Sequence, residues 1–170
     1  MPDPKWLQRY SGETAEELLS LEGQDRIDSL VVAFEQALDQ KASRLGNAAL
    51  SEAERIVLAV EALEREANNG GYSQFFLNSS SEYAGIIVDS LRRVGCPVTA
   101  GITQNAINAL KLTSPTADQL EAAMAAENED RDEELGRCDD SYYNSGEDIA
   151  GRLFAFIKAN VTNISLTSRK

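Results

Sequence analysis

From Asp25 to Lys41 the apolar residues Ile27, Leu30, Val31, Phe34 and Leu38 recur at steps of three and four. Asp28, Glu35 and Asp39 fall on the other faces, so the pattern predicts an amphipathic helix with one buried stripe. Thr14 and Glu17 form a capping box for a shorter helix over 15–21, and Ser51 and Glu54 form another. The second box opens a helix through Asn68 that buries Ile56, Val60, Leu63 and Ala67, with Asn69, Gly70 and Gly71 stopping it. Further helices are expected over 82–94 with Tyr83, Ile86, Ile87, Leu91 and Val94 inward, and over 99–112 with Val98, Ile102, Ala106 and Leu110 inward. Ser114 and Pro115 read as the N-cap and first turn of a helix carrying Leu120, Ala123 and Met124. The last helix, over 147–160, should bury Ile149, Leu153, Phe156 and Ile157, with Gly151 as its weak point.

No segment alternates with period two, and no repeat of solenoid length is found. The expected fold is all-α: one compact domain of about seven or eight helices over 1–160, with a flexible tail at 161–170. A chain of 170 residues with 42% hydrophobic content holds enough apolar material for a core.

Charge changes the picture more than composition does. The net charge is −12, and residues 127–148 carry ten acidic groups against two basic ones. Such a field repels phosphate backbones, so direct nucleic-acid binding is not expected. Duplex DNA carries about one charge per 1.7 Å, so twelve charges match about 20 Å of duplex, roughly half the width of a compact chain of this length. A surface resembling DNA would therefore need its carboxylates gathered on one face. Glu127, Asp130 and Glu134, if helical, would lie at three- and four-residue steps about 5 to 6 Å apart.

The chain has no histidine, which removes Ser-His-Asp and Cys-His catalysis and the Glu-x-x-His di-iron architecture. Asn128, Asp130 and Asp132 echo a calcium loop, but Glu133 stands where the turn needs glycine and Asp139 where a bidentate glutamate belongs. Cys96 and Cys138 form no C-x-x-C pair, and acidic neighbours oppose a Cys138 thiolate. No catalytic residue, metal or cofactor is expected. With no apolar leader and no membrane-length apolar run, a cytoplasmic protein is expected.

The most distinctive string runs from Glu64 to Ser80, EREANNGGYSQFFLNSS. It reads as a helix end, a double-glycine turn and an aromatic segment in which Phe75, Phe76 and Leu77 insert. Its residues Asn69, Gly70, Gly71, Gln74, Phe75, Phe76 and Asn78, between an acidic amphipathic helix and an aliphatic one, resemble a bacterial domain family of unknown function. That family's best-known member is described as a DNA-mimic protein. The similarity runs from about Leu30 to Leu110 and, more loosely, from Leu135 to Asn160; Ser81 stands where a glycine is common. The resemblance implies an all-α fold, no known catalytic activity and, for the DNA-mimic member, binding to a transcription factor in place of DNA; the matched residues look like a fold signature and do not include the surface carboxylates that mimicry would need.

Two readings follow. In the first, a non-enzymatic monomer or homodimer presents Glu127, Glu129, Asp130, Asp132, Glu133, Glu134, Asp139 and Asp140 to a basic protein, such as a transcription factor or another nucleic-acid-binding protein. In the second, Asn69, Tyr72, Gln74 and Asn78 line a pocket for a small molecule or peptide, and the acidity serves solubility.

Overall fold

The computed structural model describes residues 2–113 and 115–166. Among them are nine α-helices and no β-strand longer than an isolated bridge: α1 (Ala15–Leu19), α2 (Ile27–Leu45), α3 (Glu52–Gly70), α4 (Tyr72–Leu77), α5 (Ile87–Arg93), α6 (Pro97–Ala109), α7 (Ala117–Ala125), α8 (Glu129–Tyr143) and α9 (Ile149–Ala159). Short 3-10 turns lie at Asn47–Ala49, Ser79–Tyr83 and Val161–Asn163. None of the helices is long and apolar enough to cross a membrane.

The fold is all-α, as the sequence predicts, and the chain divides into two compact units. The first comprises Met1–Glu61 and Asp148–Lys170, the second Ala62–Glu147. Charge divides with them. The second unit holds 15 acidic and 6 basic residues, a net −9, against 13 and 10, or −3, in the first.

In the first unit, α2 packs against α1 and α9, burying Leu30, Phe34 and Leu38 beside Leu18, Leu153 and Ile157. Both capping boxes form: Thr14 with Glu17, and Ser51 with Glu54. The stretch before α1 is held by main-chain bonds between Lys5 and both Gln24 and Arg26, and by Leu7 N–H donating to Ser29 Oγ. In α9, Phe154 is buried and Phe156 half-buried, the reverse of the expected weighting. Residues 161–166, expected to be flexible, are docked, with Ile164 and Leu166 buried; residues 167–170 lie outside the described residues.

In the second unit, α6 packs against α5 and α8, and α4 against α7 and α8. Several helix starts and faces differ from expectation for identifiable reasons. The helix expected from Glu82 begins only at Ile87. The serines before it divert the backbone into three-residue turns, with Ser80 Oγ donating to Phe75 O and Ser81 N–H to Asn78 O. Thr116, not Ser114, caps α7, in a reciprocal pair with Gln119; Ser114 lies outside the described residues. The buried stripe of α6 is also rotated. Val98 is half-exposed while Thr99 and Thr103 are buried, because Thr99 Oγ1 donates to Glu147 and Thr103 Oγ1 bonds the Tyr72 hydroxyl at 2.8 Å. A satisfied hydroxyl can occupy a core position that hydropathy alone gives to valine.

Candidate acidic docking surface

Helix α8 starts where Asn128 Oδ1 accepts a bond from Arg131 N–H at 3.0 Å. Glu129, Asp130 and Asp132 occupy its first turn, where carboxylates are favoured by the helix dipole. Its buried residues, Arg131, Leu135, Cys138 and Tyr142, step by four, three and four and form one stripe. At 3.6 residues per turn, the opposite face is the row Glu129, Glu133, Gly136 and Asp140. Glu129, Glu133 and Asp140 are exposed, and Asp130, Asp132 and Glu127 flank them in solvent.

The spacing inferred from sequence is corrected in one respect. Glu127 precedes the N-cap and is not helical, so the row Glu127, Asp130, Glu134 does not form. Glu134 lies nearer the buried edge, half-exposed, and binds Arg137 at 2.7 Å. The other cation of the block, Arg131, is buried; it bonds Asp132 Oδ1 and the Ala123 and Ala126 carbonyls, closing the end of α7. Both cations are thus engaged. Among the described residues, no salt bridge involves Glu129, Asp130, Glu133 or Asp140.

Three acids of the block serve the fold instead. Asp139 turns toward α4 and accepts the Tyr72 N–H at 2.8 Å, capping a helix that lacks a side-chain cap of its own. Glu147 accepts from Val98 N–H, Thr99 N–H and Thr99 Oγ1 at the start of α6, and Asp148 accepts from Gly151 N–H at the start of α9. Burial raises the Asp139 carboxyl above its usual range; the Tyr72 bond opposes the shift, and neighbouring Asp140 adds to it. Burial first, then Glu134 and Asp139, push the Cys138 thiol up to about 11.

The glycine-rich turn is built around Asp139. Helix α3 continues through Asn69 to Gly70, and Gly71 alone turns the chain, with φ +83°. A side chain on Gly71 would also place Cβ 2.3 Å from an Asp139 carboxylate oxygen. Gly70 lies beneath the Gln74 side chain, where a Cβ would come within 2.3 Å of Cγ. Asn78 Nδ2 donates to Glu66 Oε2 at 2.7 Å and to Gln74 Oε1 at 3.2 Å, while Tyr72 is fully buried. Of the polar groups thought to line a pocket, Gln74 and Asn78 bond each other, Tyr72 bonds Thr103 in the core, and Asn69 is exposed. Phe75 and Phe76 insert as expected, but Leu77 is 54% exposed because it falls on the opposite side of α4.

The profile of the DMP19-like protein family matches residues 48–160, from the turn before α3 to the end of α9. The chain belongs to this family. The match takes in the Gly70-Gly71 turn and all of α8; α1 and α2 lie outside it. No curated protein and no solved structure matches the chain at a significant level. Within the DMP19-like segment, sequence reasoning located the acidic block but predicted no helix there, entertaining one only for the spacing of Glu127, Asp130 and Glu134, and it missed the tertiary roles of Asp139, Glu147 and Arg131. Only the N-x-x-R step from Asn128 to Arg131 and the D-x-x-G step from Asp148 to Gly151 gave local hints.

Proposed function

We propose that the outward face of α8 is a docking surface for a basic protein, occupying the face with which that protein otherwise binds DNA. The observation that carries this reading is the row Glu129, Glu133, Asp140 with Asp130 beside it: four exposed carboxylates with no salt bridge among the described residues. From Glu129 to Asp140 the helix rises about 16 Å, over which one DNA strand presents about five phosphates. Four carboxylates approach the charge of one strand, not of the duplex. Membership of the DMP19-like family supports the reading, since the resemblance drawn from the sequence is to a family with a DNA-mimic member. The function is binding without catalysis, and two buried cysteines not joined in a disulfide suit a reducing cytoplasm.

Capture at low salt on the immobilised protein tests this. Basic DNA-binding proteins should be recovered, should elute as ionic strength rises, and should lose their DNA when the protein is added in excess. A captured protein that binds DNA and this chain simultaneously would refute the mimicry.

A further inference from the structure

The acids of α8 lie in the second unit; the first unit carries a different kind of contact. The 3-10 turn ends at Asn163 and the chain continues through an extended Ile164 (φ −117°, ψ 110°), with Ile164 and Leu166 buried and Asn163 and Ser165 exposed. The Asn163 and Ile164 amides close the 3-10 turn, while the Asn163 carbonyl and both main-chain groups of Ser165 are held by side chains. Ser51 Oγ donates to Asn163 O at 2.6 Å, Ser165 N–H donates to Glu54 Oε1 at 2.8 Å, and Lys41 Nζ donates to Ser165 O at 2.8 Å. Lys41 and Glu54 also pair with each other at 2.8 Å, with side chains only 11% and 1% exposed. The capping box fixes Glu54 in place, because its Oε2 accepts Ser51 N–H.

Main-chain bonds supplied by a fixed receptor, with alternate side chains in apolar positions, are how extended peptides are recognised. We infer that Lys41, Ser51 and Glu54 form a peptide-binding site whose occupant is the chain's own residues 163–166, docked as a displaceable strap. The ligand class is an extended peptide of the form Ile-x-Leu. This inference is independent of the acidic surface and stands or falls without it.

Amide hydrogen exchange on the full-length chain tests it first. The Ser165 amide should be protected at least about tenfold, as suits a bond to a buried carboxylate. It should also exchange through an opening that leaves Phe34 and Leu38 in α2 protected. An unprotected Ser165 amide, or one that exchanges only together with α2, overturns the inference. Ser165→Pro in the full chain then removes the donor, and the extended Ile164 before it (φ −117°, ψ 110°) accommodates a following proline. The folded S165P chain should bind a fluorescent peptide of residues 160–166 saturably, and the wild type at least tenfold more weakly. A folded S165P chain that ignores the peptide refutes the displaceable strap; if the variant does not fold, the wild-type exchange result decides.

Discussion

Replacing Asp139 by alanine separates the structural acids of α8 from the docking ones. Tyr72 has no solvent exposure, and the half-buried Asp139 carboxylate at 2.8 Å is the acceptor for its N–H. An unsatisfied buried donor costs about 1–3 kcal/mol, and alanine's better helix propensity returns about 0.5 kcal/mol. The net loss should be about 0.5–2.5 kcal/mol. With a urea m-value of about 2 kcal/mol/M, the unfolding midpoint followed by circular dichroism should fall by about 0.3–1.3 M. Asp139→Asn keeps a carbonyl acceptor but removes the charge, and it adds a test of sign. Because burial raises the Asp139 pKa above 3.8, folding favours the protonated acid. The wild type and D139N should therefore be alike near and below pH 3.8, and the wild type should fall behind as pH rises through the raised value toward 7. An unchanged midpoint for D139A would refute the capping role. A wild type that gains on D139N as pH rises would refute the claim that desolvation outweighs the bond.

Two further variants probe the same unit. Gly71→Ala should destabilise by about 2–4 kcal/mol in urea melts, combining a positive φ with displacement of the Asp139 carboxylate from Tyr72; a loss below about 1 kcal/mol would show that the turn can relax. Tyr142→Phe removes a buried hydroxyl that has no hydrogen-bond partner among the described residues, so stability should stay level or rise by up to about 1 kcal/mol; a clear loss would mean that the hydroxyl is bonded in solution.

Local patterns were legible where the partners lie close in sequence. The α2 stripe and the boxes Thr14–Glu17 and Ser51–Glu54 depend on neighbours three or four residues apart; both boxes form, and Leu30, Val31, Phe34 and Leu38 are buried, although Ile27 is half-buried and Glu35, expected on another face, is buried with them. What stayed hidden joins distant positions. Asp139 and Tyr72 are 67 residues apart, Glu147 and Thr99 48, and Ser165 and Glu54 111. A carboxylate that caps a remote helix has the same composition as one that faces solvent. The acidic block therefore read as one surface, although Asp139, Glu147 and Asp148 are caps and Glu129, Glu133 and Asp140 are outward. The outward row became visible only once Leu135, Cys138 and Tyr142 fixed the buried side of α8.

The most direct test is the rate at which a captured basic partner associates at low salt with three proteins: the wild type, Glu129→Gln/Glu133→Gln/Asp140→Asn, and a control with the same charge change in the first unit, Asp3→Asn/Glu16→Gln/Glu52→Gln. Steering by a local charged face predicts that the α8 triple variant associates at least about tenfold more slowly and loses much of its salt dependence, while the control stays close to the wild type. Equal slowing of both variants would show that only overall charge matters, and would contradict a docking face on α8.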